Sequence, residues 1–476
     1  MDILKNVQRA HFVGIGGIGV SALARYFLAQ DVLVSGSDLA DSELLKELRL
    51  DGINVSVGQA RDNVKPGTNL VVYSAAVQKD NPELKAARSL KIRIKSYPEV
   101  LGELTKEYYT IAVSGSHGKS TTTALISLLL EKAGLDPTVI VGTKLREFGL
   151  SAHNESGSNF RKGESKYLVM EADEWNKSFH NYFPDVAVLT NIDKEHLDTY
   201  KSYDGVVAGF KRYLKNLKPH GVIIANWQDA AIRKITKEIV QKGKHKVVYY
   251  NKTDFPKHPL AITGKHNQLN AEAAWQAFKI VANPSAALRA SNANLVKVAD
   301  EVFENYHGAW RRMEKLTTNN QQLTTEIYTD YAHHPTEIKA TLAAFREQYP
   351  KEKIICVFQP HQQDRLTRLF DDFVAAFREA DVVMIAPVYR VVGRDPVRGR
   401  AFHGTRSARF AGAAPNGTKD AFALAQEISR HQSNVFYTPD FEAIIKIIKS
   451  QSDGQSVAVF MGAGDLDSQI RKYLIE

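Results

Sequence analysis

Short apolar runs alternate with amphipathic stretches along almost the whole chain, a rhythm that predicts parallel strands with helices on their faces. "RAHFVGIG" (9–16) reads as a strand, Val20, Leu23, Ala24, Phe27 and Leu28 share one helical face, and "DVLVSGSD" (31–38) completes a βαβ unit. "NLVVYSAA" and "KIRIKS" are further strands, and "YPEVLGELTKEYY" is a helix with its connection before "YTIAVSGS" opens the next strand. A first boundary is therefore placed near residue 106. The polar stretch "TTNNQQLT" (317–324) reads as a turn, strands resume at "TTEIYTDYA", and a second boundary is placed near residue 318. "KIICVFQP", "DVVMIAPVY", "NVFYTPD" and "SVAVFMGAG" then alternate with helical patterns to the end. The expected fold class is α/β, with three domains over residues 1–105, 106–317 and 318–476.

Composition narrows the function classes. A hydrophobic content of 43% with 24% charged residues is ordinary for a soluble globular protein. The apolar run "LISLLL" falls far short of the roughly 18 residues a membrane helix needs. The mixed charge and early glycines at the N-terminus do not suit a secretory signal, so a cytoplasmic location without membrane insertion is expected. Cys356, the single cysteine, sits in the strand-like "KIICVFQ" and reads as buried. The formal charge of +9 is compatible with phosphorylated small molecules, and no nucleic-acid module is recognisable.

Two glycine loops carry the chemistry. "GIGGIG", with Gly14, Gly16, Gly17 and Gly19, fits G-x-G-x-x-G, and Asp38 ends the next strand where a ribose ligand would stand. Glycines of this kind let backbone N–H groups approach a diphosphate at a helix N-terminus, whether a dinucleotide or a UDP-sugar carries it. The second loop, "GSHGKST", runs from Gly115 through Ser116, His117, Gly118 and Lys119 to Ser120 and Thr121. It lacks the first glycine of the usual Walker pattern, because Val113 stands there. Its amides would hold phosphates, Lys119 would meet the β and γ oxygens, and Ser120 would ligate magnesium. Two strands, "KYLVMEADE" and "DVAVLTNIDKEHLDTY", deliver Glu171, Asp173 and Glu174, and then Asn191, Asp193 and His196, to one sheet edge. Carboxylates with one imidazole suit magnesium better than zinc.

At this point the chain resembles the Mur ligases, ATP-dependent amide-forming enzymes of peptidoglycan synthesis. Their short loop G-[TS]-x-G-K-[TS] is what residues 115 to 120 supply. His117, "GKHNQLNAEAA", "YHGAWRRME", "DYAHHPTEIKATL", "FQPH" and "MGAGD" resemble the branch that joins L-alanine to the lactyl carboxylate of UDP-N-acetylmuramate. The resemblance implies an N-terminal Rossmann-like domain for the UDP-sugar, a central P-loop ATPase and a C-terminal Rossmann-like domain for the amino acid. It implies ATP and Mg2+, with Ser120, Glu171 and His196 as metal ligands, and a monomer or homodimer. Asn267 and Asn270 fall near the adenine, with His266 a weaker candidate, while Arg312 and Asp330 reach the nucleotide. His333 and Arg365 meet the amino acid, His333 being also the candidate for the group that takes the amine proton. Ser74 joins the glycine loop and Asp38 on the UDP-sugar. Three departures bear on specificity: Trp175 and Asn176 in "EADEWNKSF", Thr329 before Asp330, and Gln362 where many relatives carry arginine. A murein-tripeptide recycling ligase and an inactive nucleotide-binding regulator are the alternatives, and an NAD-dependent oxidoreductase would rest on the first loop and Asp38 alone.

Overall fold

A computed structural model describes residues 6–149, 157–241, 243, 245–251, 259–282, 292–316, 325–389, 419–452 and 455–475. The turn expected over 317–324, and with it the boundary near 318, lies outside the described residues. The chain forms three sheets in two compact units, one of Met1–Ala261 with Leu269–Trp310, the other of Ile262–Gln268 with Arg311–Glu476.

The first unit holds two sheets. Strands β1 (Arg9–Val13), β2 (Leu33–Asp38), β3 (Asn54–Val57), β4 (Leu70–Tyr73) and β5 (Arg93–Ser96) form an all-parallel sheet in the order β3-β2-β1-β4-β5. Helices α1 (Ile18–Leu28), α2 (Glu43–Leu50), α3 (Pro82–Ser89) and α4 (Tyr97–Glu107) connect or follow these strands. Their starts are written locally. The Ser42 hydroxyl accepts the Leu45 N–H in front of α2, and Asn81 caps α3 with Pro82 at its first turn. Because β1 is central and the strand order reverses beside it, the loop after β1 opens at a topological switch point.

The second sheet runs β12-β11-β10-β6-β9-β7-β8, built from β6 (Tyr109–Ser114), β7 (Thr138–Leu145), β8 (Ser158–Arg161), β9 (Tyr167–Glu171), β10 (Val186–Leu189), β11 (Val222–Asn226) and β12 (Lys246–Tyr250). Only β7 with β8 is antiparallel. Helix α5 (Lys119–Lys132) follows β6 and is buried on nearly all sides, which explains its apolar and threonine-rich sequence. With β6 between β9 and β10, the phosphate loop, the acidic end of β9 and the segment after β10 must meet at one sheet edge.

Buried charges tie the two sheets together. Arg25 of α1 meets Asp51 at 2.7 Å and Asn159 at 2.5 Å, and Lys144 of β7 reaches Glu47 of α2 at 2.5 Å. The Lys144 ammonium also lies 4.8 Å from the centre of the Trp310 ring.

The second unit holds β13 (Glu314–Leu316), β14 (Glu326–Asp330), β15 (Lys353–Phe358), β16 (Val382–Ile385), β17 (Val435–Tyr437) and β18 (Ser456–Met461), in the order β13-β14-β18-β15-β16-β17. All neighbours are parallel except β13 with β14. Cys356 on β15 is fully buried, as its apolar setting predicts, and burial pushes its thiol up. No helix among the described residues is long and apolar enough to cross a membrane.

Candidate active site

In the first loop the glycines serve three different needs. Gly14 takes φ 77°, and its N–H and that of Ile15 both donate to the Ser37 carbonyl, at 2.8 and 3.0 Å. Gly16 donates its N–H to Asp38 Oδ2 at 2.8 Å, and a Cβ there would stand 2.8 Å from the same oxygen. A Cβ on Gly19 would meet the Tyr97 hydroxyl at 2.8 Å, whereas Gly17 caps α1 with extended backbone. Asp38, expected at a ribose, braces the loop through that Oδ2 contact with Gly16, while its Oδ1 accepts the Leu39 N–H at 2.7 Å. Ser74 packs against Gly14, 3.0 Å from where its Cβ would be.

Beneath the loop, buried Glu83 accepts from the Ser37 hydroxyl at 2.6 Å and from Asn63 at 2.6 Å, with His11 Nε2 at 3.2 Å. Burial acts to raise the Glu83 carboxyl, but these partners prevail and hold it below its ordinary value.

The second loop is bolted to the segment after β10. Asn191 Oδ1 accepts the His117 N–H at 2.9 Å, and the His117 carbonyl accepts from the Thr190 hydroxyl at 2.6 Å and from Asn191 Nδ2 at 3.0 Å. The Ser116 hydroxyl accepts the Asp193 N–H at 2.9 Å, and the His117 ring meets Asp193 Oδ2 at 3.1 Å. His117 thereby acquires a physical role, fastening the loop at both its backbone and its ring. The shortened loop leaves little room: a Cβ on Gly115 (φ 144°) would fall 1.9 Å from Thr190 Oγ1, and one on Gly118 (φ 81°) 2.3 Å from Asn270 Oδ1. Asn270 also accepts from the Thr122 hydroxyl at 3.3 Å, so it sits against the phosphate loop itself. Ser120 and Thr121 are buried in the first turn of α5.

Lys119 points back across its own loop, donating to the Gly115 carbonyl at 2.6 Å and meeting Glu174 at 3.0 Å. Burial works to lower its ammonium, but the charges of Glu174, Asp173 and Glu171 outweigh it and raise the group above its ordinary value. His196 Nε2 lies 3.8 Å from Glu174, and donor atoms of Asp173, Glu174 and His196 all fall within 4.8 Å of one another. Glu171, expected as the partner of His196, turns a carboxylate oxygen to the Gly142 N–H at 2.6 Å. Glu174 and Asp193 are thus the residues whose contacts sequence reasoning left unassigned, although both stand in the quoted strand ends. After Glu174 the chain turns through left-handed Asn176 (φ 51°) and Lys177 (φ 59°), a place where asparagine is favoured.

In the second unit, Asp330 ends β14 and is buried. It accepts the Met313 and Ala332 N–H groups, each at 2.8 Å, and burial pushes its carboxyl up despite Arg312. The Arg311 and Arg312 guanidiniums lie 4.9 and 5.0 Å from the Tyr331 ring centre. His333 Nδ1 is 3.2 Å from Glu337, its ring is 6.0 Å from that of His361, and His361 stacks on Tyr389 at 5.7 Å. Arg365 lies in the short helix Gln363–Arg368, which Gln362 enters at φ 70°. His266 and Asn267 open the helix Lys265–Ala282, where Asn267 Nδ2 donates to the Thr263 carbonyl at 2.8 Å. Burial draws the His266 imidazole down to about 4.

Comparison with known proteins matches three family models in order: the Mur ligase family catalytic domain over residues 9–109, the Mur ligase middle domain over 113–278, and the Mur ligase glutamate ligase domain over 311–464. The chain belongs to the Mur ligase family. This Mur ligase is 32% identical to UDP-N-acetylmuramate–L-alanine ligase of Sulfurihydrogenibium sp., over 99% of the chain and 98% of the relative. It is 34% identical to the enzyme of the same name from Clostridium tetani, over 98% and 97%. Its three-domain fold is like that of the UDP-N-acetylmuramate–alanine ligase MurC from Thermotoga maritima, with a TM-score of 0.75, 24% identity and 98% coverage of both chains. A murein peptide ligase from Psychrobacter arcticus aligns at a TM-score of 0.64 with 20% identity, again over 98% of both chains.

Proposed function

We propose that this Mur ligase joins L-alanine to the lactyl carboxylate of UDP-N-acetylmuramate at the expense of ATP, in the cytoplasm, as a step in making peptidoglycan precursors. The full-length similarity to relatives of that name carries the reading, and the enclosure of Lys119 by Glu174 at the mouth of the phosphate loop supports it.

A carboxylate is a poor electrophile. Transfer of the γ-phosphoryl group from ATP turns it into an acyl phosphate, and the neutral amine of L-alanine then displaces phosphate, leaving ADP, phosphate and an amide. Donor and acceptor are both anions, so charge neutralisation and alignment supply most of the catalysis. In this reading Gly115 to Thr121, Asn267, Asn270, Arg312 and Asp330 hold ATP, and Lys119 meets the transferred phosphoryl group. Gly14, Gly16, Gly17, Gly19, Asp38 and Ser74 hold the UDP-sugar, Asp38 by shaping the loop. His333 and Arg365 receive the amino acid, with domains over 1–105, 106–317 and 318–476 dividing the three tasks. Two carboxylates and an imidazole at Asp173, Glu174 and His196 fit a divalent cation, so these residues would hold Mg2+, together with Ser120 and Glu171, which the family resemblance adds to His196 as ligands. When bound, the ion screens the repulsion between the phosphates and the acceptor carboxylate.

Phosphate release by the purified protein tests this. Release is expected only with ATP, Mg2+, UDP-N-acetylmuramate and L-alanine together. Release that requires a murein tripeptide instead selects the recycling activity, and glycine or L-serine in place of L-alanine tests the departures at Gln362 and Thr329. No release in any combination refutes the ligase reading.

A further inference from the structure

The first turn of α4 carries a tyrosine for which neither loop accounts. Tyr97 opens the helix, Pro98 follows it, and the Glu99 carboxylate accepts the Ser96 N–H at 2.7 Å, which holds that turn in place. The phenol lies against α1. Its oxygen is 2.8 Å from where a Cβ on Gly19 would be, so glycine at 19 is what admits the ring. Asp173 and Glu171 are near enough for their charges to add to the effect of burial and raise the phenol above its ordinary value. The rest of α4 packs onto the chain that follows those carboxylates: Gly102 abuts the Asn181 carbonyl, and the Thr105 hydroxyl accepts the Phe183 N–H at 3.0 Å. Tyr97 therefore sits against the end of the first glycine loop, on a helix that packs onto the chain following the acidic end of β9.

Neighbouring tyrosines are differently placed. Tyr182 is 1% exposed, and the Tyr200 hydroxyl donates to the Glu174 carbonyl at 2.7 Å. Tyr97 is only partly buried, and its hydroxyl makes no hydrogen bond to any described residue.

We propose that the Tyr97 hydroxyl contacts the acceptor end of the sugar nucleotide and donates a hydrogen bond to the carboxylate that is to be activated. This rests on the reading of residues 14–19 as the UDP-sugar loop. With the diphosphate at the start of α1 and the γ-phosphate at Lys119, the acceptor must cross from one to the other, and Tyr97 stands on that path. A cationic donor there would pair with Asp173 or Glu171. A phenol that keeps its proton donates to an anion without adding charge.

Calorimetric binding of UDP-N-acetylmuramate and of UDP, without ATP, to the wild type and to Tyr97→Phe tests the contact. Phenylalanine keeps the ring on Gly19 and removes only the hydroxyl. Affinity for UDP-N-acetylmuramate is expected to fall roughly tenfold or more, while UDP binding and the melting temperature stay unchanged. In turnover, KM for UDP-N-acetylmuramate rises and KM for ATP holds. Equal weakening of both ligands, or no change in either, overturns the contact. If the wild type itself binds neither ligand, the assignment of the loop fails instead.

Discussion

The Lys119 ammonium lies 3.0 Å from the Glu174 carboxylate and 2.6 Å from the Gly115 carbonyl, so this lysine is held by its own loop and by a buried acid. Nucleotide phosphates would take over those interactions. Lys119→Ala is expected to lower phosphate release by at least about a hundredfold, the scale for losing one charge stabiliser of a transition state. Binding of UDP-N-acetylmuramate, followed by calorimetry, should be unaffected because the first glycine loop does not use Lys119. A matching loss of sugar-nucleotide binding would show that the two loops have been given the wrong substrates.

Gly118 and Asn270 form a second testable pair. Gly118→Ala places a methyl group at φ 81° and 2.3 Å from the amide oxygen of Asn270. The left-handed backbone alone costs about 1–2 kcal/mol for an L-residue, and the clash adds to it. A lower melting temperature and a higher KM for ATP are expected. Combining it with Asn270→Ala should return part of the stability, because the clash is removed while the backbone strain stays. Strict additivity in the double-mutant cycle would show that the two residues do not press on each other.

His266 makes stability sensitive to acid. Burial brings its imidazole down to about 4, below the ordinary value of 6.5, so between those two values the unfolded chain binds the proton more readily. Its contribution is complete above pH 6.5 and is lost as the pH falls towards 4, at up to about 1.4 kcal/mol per pH unit. Melting curves across this window should therefore show a smaller fall in stability for His266→Gln than for the wild type. Parallel curves for the two proteins would rule out this role.

Much of this was legible in the chain itself. Alternating apolar and amphipathic runs announce parallel α/β domains because strands buried on both faces must be apolar and their crossovers must be helical. The two glycine loops are readable for a related reason, since a phosphate site built from consecutive backbone amides has to be contiguous in sequence. His117, by contrast, was visible as a motif residue without a role. Its partners, Asn191 and Asp193, arrive from the neighbouring strand, more than 70 residues away.

The sequence by itself determined the fold class, the family and the positions of the two glycine loops, all of which follow from local propensity and contiguous motifs. Tertiary structure alone decided which side chains converge. It set Glu174 beside Lys119, turned Glu171 towards Gly142, enlisted Asp38 as a brace and brought Tyr97 against Gly19. The reason is physical: strand order fixes which loop ends share a sheet edge, and close packing there fixes each rotamer, and neither is encoded in the spacing of residues along one segment.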